Sequence, residues 1–93
     1  MKRAIARSNA FIRAARRFAK KNPQAVEELL SIIAWLEEDA FQPRLKTHKL
    51  HGDLEGSWAC SLGRDRRIVF EFVRHEGRET VLLQSLGRHD EVY

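Results

Sequence analysis

Two spacings of apolar residues divide this chain. Between Phe11 and Leu36 they recur every three or four positions, whereas from Leu54 to Leu86 they alternate or run together. The first is the period of a helix resting on a core, and the second is that of strands. Phe11, Ile12, Ala15, Phe18 and Ala19 fall on one helical face, with Arg13, Arg16, Arg17 and Lys20 on the other. Ser8 or Asn9 is a suitable N-cap, so the pattern predicts a helix to about Lys21. Asn22-Pro23 then ends it and opens a second, with Asn22 as cap and Pro23 at the first helical position. Val26, Leu29, Leu30, Ile33 and Leu36 carry the second apolar face to about Asp39. So short a connection predicts an antiparallel helical hairpin, whose apolar faces require another layer.

That layer is a sheet. Residues 2–7 alternate loosely around Ile5 and predict a short first strand. Phe41 to His51 is a basic connector broken by Pro43. Leu54 to Leu62 follows as a strand with Leu54, Trp58, Cys60 and Leu62 on one side, then a turn at Gly63-Arg64-Asp65. Arg66 to Val73 and Glu79 to Leu86 form a hairpin around His75-Glu76-Gly77-Arg78. The fold class is α+β: an N-terminal strand and a two-helix antiparallel hairpin packed on a small, mostly antiparallel sheet. A hairpin centred near residue 76 sets residues 85–87 opposite about 65–67. His89 then leaves the sheet beside Asp65, Arg66 and Arg67, with Arg64 at the same end and Tyr93 closing the chain.

Composition narrows this picture. Ninety-three residues, 43% hydrophobic and 32% charged, make one globular domain, 1–93. No segment approaches the roughly 20 apolar residues of a membrane span. The charged N-terminus lacks a secretory apolar region, and a single cysteine, Cys60, fits a reducing compartment. The expectation is a cytoplasmic protein with no membrane partner. The net charge of +4 is uneven: residues 1–22 hold eight Lys and Arg and no acid. Arg44, Lys46 and Lys49 form a second basic group and Arg64, Arg66 and Arg67 a third. Such patches favour polyanions, although a solvated surface accounts for the charge equally well.

The chemistry available at the sheet end is more particular. Arginine forks match phosphate oxygens, and a histidine beside them can pass a proton to or from a sugar oxygen. Together they satisfy metal-free RNA cleavage, in which a 2′-hydroxyl attacks the adjacent phosphorus while arginines hold the developing charge. A terminal tyrosine can stack on a base or donate a proton. A surface ion-pair network is the commoner fate of a His–Asp–Arg group. No cofactor is implied. His48 and His51 lack the further ligands of a structural zinc site, and Cys60 on an apolar strand face reads as an inert core residue.

The motifs Leu45-Lys46-Thr47-His48-Lys49-Leu50-His51-Gly52, Gly56-Ser57-Trp58-Ala59-Cys60-Ser61 and Gly63-Arg64-Asp65-Arg66-Arg67-Ile68-Val69-Phe70, with the end Leu86-Gly87-Arg88-His89-Asp90-Glu91-Val92-Tyr93, resemble the RelE/ParE superfamily of bacterial toxins. The nearest branch is the YafQ-like mRNA interferases. The resemblance implies one RelE-like domain, a toxin of a type II toxin–antitoxin system. It implies a metal-independent endoribonuclease that cleaves mRNA in the ribosomal A site and is neutralised by a cognate antitoxin. Operator DNA would be met only through the toxin–antitoxin complex. By position, His89 matches the catalytic proton donor, Asp65 an active-site acid, Arg67 the arginine on the scissile phosphate, His48 a further histidine and Tyr93 the terminal aromatic. Arg64, Arg66, Arg44, Lys46 and Lys49 are the expected RNA-binding cations. Two departures stand out: Ser61 replaces a strand histidine, and Arg66 replaces an aromatic. His48 is therefore the remaining candidate base, yet simple pairing puts it at the far end of the sheet unless the connector folds back. The alternatives are a ParE-like gyrase poison and a non-catalytic nucleic-acid-binding module on the same fold.

Overall fold

Ser8 opens the first helix as its position predicts, and does more. In the computed structural model, which describes residues 2–88, its hydroxyl accepts from the Phe11 amide and donates to the Gln84 carbonyl, both at 3.0 Å. One side chain thus caps helix α1 (Asn9–Lys21) and ties it to the last strand. Asn22 does not cap the next helix. Its side-chain amide donates back to the Phe18 carbonyl at 3.1 Å, beside its own backbone N–H at 2.8 Å, and so closes the end of α1. Pro23–Ala25 forms one 3₁₀ turn before α2 (Val26–Glu38).

Five strands form one sheet: β1 (Ala4–Arg7), β2 (His48–Lys49), β3 (Trp58–Leu62), β4 (Arg66–His75) and β5 (Arg78–Arg88). Their order is β1-β5-β4-β3-β2, with β1 parallel to β5 and the other pairs antiparallel. Two points differ from the sequence reading. The connector contributes β2, a strand of two residues, too short for alternation to reveal. The strand expected from Leu54 begins only at Trp58, because Gly52–Leu54 forms a 3₁₀ turn and Gly56 adopts φ 96°. Leu54 consequently packs with Leu50, Ala59 and Val69 on the opposite face from Trp58, Cys60 and Leu62.

Both helices cover one face of the sheet. Phe11, Phe18, Leu29, Ile32, Ile33 and Leu36 meet Cys60, Leu62, Ile68, Phe70, Val81, Leu83 and Leu86 in the main core. Among the described residues the other, outer face carries the small Leu50–Ala59–Val69 cluster. The β4–β5 turn places Glu76 (φ 52°) and Gly77 (φ 75°) in the left-handed region, the geometry of a two-residue hairpin turn that follows strand twist. Between Val69 and Phe70 the register shifts: Phe70 pairs with Leu83 but Val69 with Ser85, leaving Gln84 as an extra residue in β5. This bulge lets both Leu83 and Leu86, three apart, reach the same core.

Candidate functional site

The bulge also sets what meets at the sheet end. Arg66 pairs with Arg88, Arg67 with Gly87 and Ile68 with Leu86, two rungs away from the pairing expected of a regular hairpin centred on residue 76. One of those rungs comes from the turn lying at Glu76-Gly77 and the other from Gln84. Alternation then separates neighbours: Arg66 points to the helix side with Ile68, and Arg67 to the outer face with Val69.

On the outer face Arg67 lies between Ser61 of β3 and Gly87 of β5. Its cross-strand partners are a short hydroxyl and a glycine, so neither offers a bulky side chain over the guanidinium. Nη1 donates to the Arg66 carbonyl at 3.0 Å, which anchors the half-buried fork at its base. His48 pairs with Ala59, and Ala59 with Val69, so His48 shares this face. Two strand spacings across and two residues along separate the Cα atoms of His48 and Arg67 by roughly 12 Å. The connector adds a strand at the sheet edge, which sets His48 on this face beside Ala59, two residues along β3 from Ser61. The His48 Nδ1 lies 2.9 Å from the Lys46 carbonyl. A carbonyl only accepts, so Nδ1 carries hydrogen and Nε2 is the basic nitrogen of the neutral ring. His48 also lines a concavity of about 320 Å³ with Lys49, Leu50, His51, Asp53 and Leu54.

The remaining expected site residues divide by location. Asp65 sits in the β3–β4 turn, 63% exposed, with Oδ1 3.6 Å from Arg66 Nη1, so it is the helix-side arginine that it accompanies. Arg64 is exposed on the same turn. Lys46, in left-handed backbone at φ 53°, directs its carbonyl to His48. Arg44 and Lys49 are engaged elsewhere: Arg44 lies 3.6 Å over the Trp35 ring and donates to Gln42, and Lys49 lies 5.5 Å over Trp58. Trp58 belongs to the helix side at the other end of β3, so neither cation joins the Arg67 face. His89 and Tyr93 lie outside the described residues.

Cys60, beneath Arg67 on the core side, is fully buried. Burial pushes its thiol up from the ordinary 9.0 to about 12, partly opposed by the Arg67 charge and a hydrogen bond from Ile68. A thiol held neutral in this way is no nucleophile at neutral pH. Sequence reasoning missed a polar chain across the outer face: Ser57 donates to Gln84 at 3.0 Å and Gln84 donates to Glu71 at 2.8 Å. Its link is the bulged Gln84, for which the sequence carries no signal. Among the described residues no group of three or more His, Cys, Asp or Glu is arranged to hold a metal, and no helix is long and apolar enough to cross a membrane.

The fold has known counterparts. The family model described as a bacterial toxin of type II toxin–antitoxin system, YafQ, matches residues 3–93. The crystal structure of YafQ from E. coli strain BL21(DE3) superposes with a TM-score of 0.78 at 15% identity, covering 99% of each chain. A YoeB/ParE toxin from Agrobacterium tumefaciens gives a TM-score of 0.78 at 16% identity, over 92% of this chain and 98% of that one. The E. coli DinJ–YafQ toxin–antitoxin complex gives 0.77 at 16% identity, covering 100% and 99%. Among curated protein sequences there is no match.

Proposed function

From membership of the YafQ family of type II toxin–antitoxin toxins, to which this chain belongs, we propose that it is a metal-independent endoribonuclease acting on mRNA in the ribosomal A site. The observation that carries this reading is the shared outer face of His48 and Arg67, about 12 Å apart at Cα, a gap suited to one phosphodiester. In the reaction the His48 Nε2 takes the proton of the 2′-hydroxyl. The O2′–P bond forms, Arg67 holds the charge developing on the phosphoryl oxygens, and the P–O5′ bond breaks. His89 gives a proton to the departing 5′-oxygen, leaving a 2′,3′-cyclic phosphate. Asp65 steadies Arg66 beside the site, and Tyr93 stacks on a neighbouring base. Arg64 and Lys46 add phosphate contacts.

A cognate antitoxin is the natural protein partner, since the neighbouring structures include DinJ–YafQ and a YoeB–YefM complex from Staphylococcus aureus. Operator DNA is met only through such a complex, and the site of action is the cytoplasm. Induction in bacteria with primer extension on translated mRNA tests the reading. Wild type should arrest growth and generate new 5′ ends, and His89→Ala or His48→Ala should lose about 10²-fold or more of cleavage. Full cleavage by either variant removes that residue from the mechanism. Gyrase inhibition with intact mRNA would replace the reading by a ParE-like one.

A further inference from the structure

Arg66 and Arg88 face each other directly across β4 and β5 on the helix side. Like charges at opposed positions weaken a sheet. The end of α1 nonetheless brings two more cations to the same place. Arg17 and Lys21, one helical turn apart, join Arg66, Arg88, Asn22, Phe18 and Leu86 around a concavity of about 370 Å³. A second concavity of about 470 Å³ shares Phe18 and Arg66 and runs on past Leu62, Gly63 and Arg64, with Glu28 and Asp65 as the acids of its lining. The two form one groove across the sheet end, on the opposite face from Arg67 and His48.

We propose that this helix-side groove is a nucleotide subsite that holds the RNA strand next to the scissile phosphate, so that the substrate straddles the end of β4. The proposal rests on the endoribonuclease reading and adds a second binding face to it. Arg66 and Arg67 are consecutive and point to opposite faces, so a strand gripped by Arg67 meets Arg66 on passing over the sheet end. The groove is of nucleotide size. Its wall offers planar surfaces as well as charge: the Arg66 guanidinium lies 5.3 Å from the Phe18 ring centroid, and such a plane can stack on a base. Arg17 and Lys21 are exposed at the rim, where phosphates would lie, and the Asn22 amide borders the floor. An acidic peptide would use the charges and leave the planar wall idle.

The test uses 5′-fluorescein-labelled 2′-O-methyl hexauridylate, which lacks the attacking hydroxyl and is not cut. Its binding is followed by fluorescence anisotropy at several salt concentrations. Removing two phosphate contacts with Arg17→Gln/Lys21→Gln should weaken binding roughly tenfold near ~0.15 M salt and lower the log–log salt slope by about 1.4. Arg74→Gln/Arg78→Gln, which removes equal charge at the far hairpin tip, should have less than half that effect. On unsubstituted protein, the Phe18 ring and Asn22 side-chain amide resonances should shift as the RNA is added. A groove variant indistinguishable from the hairpin-tip variant overturns the subsite, as do unmoved Phe18 and Asn22 resonances. So does equal displacement of the RNA by a polyglutamate peptide of the same charge. Loss of the salt slope in the groove variant, with no mRNA cleavage by wild type in a translation extract, would retire the nuclease reading and leave the groove standing.

Discussion

The two ends of the sheet treat positive charge in opposite ways. At the end formed by the starts of β1 and β3, cations lie on rings. Arg3 sits 4.8 Å from the Phe72 centroid and 2.9 Å from Glu79, and Arg44 and Lys49 cover Trp35 and Trp58. Phe41, Trp58 and Phe72 pack mutually at 5.3 to 5.4 Å, so these cations complete an aromatic cluster. At the other end Arg17, Lys21, Arg66 and Arg88 share one concavity, with Arg67 on the reverse face and Asp65 and Glu28 in the adjoining lining. Burying a guanidinium against a ring stabilises the fold, whereas crowding guanidinium groups stores repulsion that an anion can relieve. A count of basic residues in the sequence cannot distinguish these uses.

Substitutions at the two ends should separate accordingly. On the proposed nuclease function, Arg67→Ala is expected to reduce mRNA cleavage by roughly 10²–10³-fold with little change in melting temperature, since the proposal gives Arg67 the charge developing at the phosphate. Retained cleavage would detach the nuclease reading from this end. Arg3→Ala should do the reverse, costing about 1–2 kcal/mol in denaturant unfolding through the lost ring and carboxylate contacts while cleavage per folded molecule is kept. If cleavage falls instead, the far end belongs to the site.

Cys60 yields a smaller, pH-dependent effect beneath Arg67. Its folded pKa, about 12, lies above the ordinary 9.0 of the unfolded chain, so the neutral thiol is favoured by folding. That contribution is complete below pH 9 and is lost as pH rises from 9 towards 12, by at most about 1.4 kcal/mol per unit. Cys60→Ala, less stable at every pH, should show a flatter decline between pH 8 and 10 in chemical unfolding. Parallel declines would mean that the thiol is not held neutral by burial.

Much of the fold was legible because its signals are local. Ser8 caps by its own hydroxyl, the helical faces follow a 3.6-residue period, and Glu76-Gly77 makes its own turn. What escaped depends on distant partners. Strand β2 exists only because β3 offers an edge, Asn22 turns back to Phe18 instead of forward, and Gln84 bulges where Val69 and Phe70 face it. The site divides similarly. Arg66 and Arg67 could be set at the sheet end from pairing alone, and His48 gained its place from an unforeseen strand. The loss of Arg44 and Lys49 to aromatic rings was beyond any reading of charge, because Trp35 and Trp58 reach them only through the tertiary fold.

Gln84 shifts the parity of everything after it in β5. Before it odd-numbered residues face the helices; after it even-numbered ones do, as Val81 and Leu83 give way to Leu86. Were Gln84 paired regularly instead of bulged, Leu86 and Arg88 would turn outward and Gly87 inward, exchanging the inventories of the two faces. The division between a cationic helix-side groove and an outer face centred on Arg67 thus hangs on one unpaired residue: deleting Gln84 would keep every face in place, whereas drawing it into the ladder would exchange them without changing any charge.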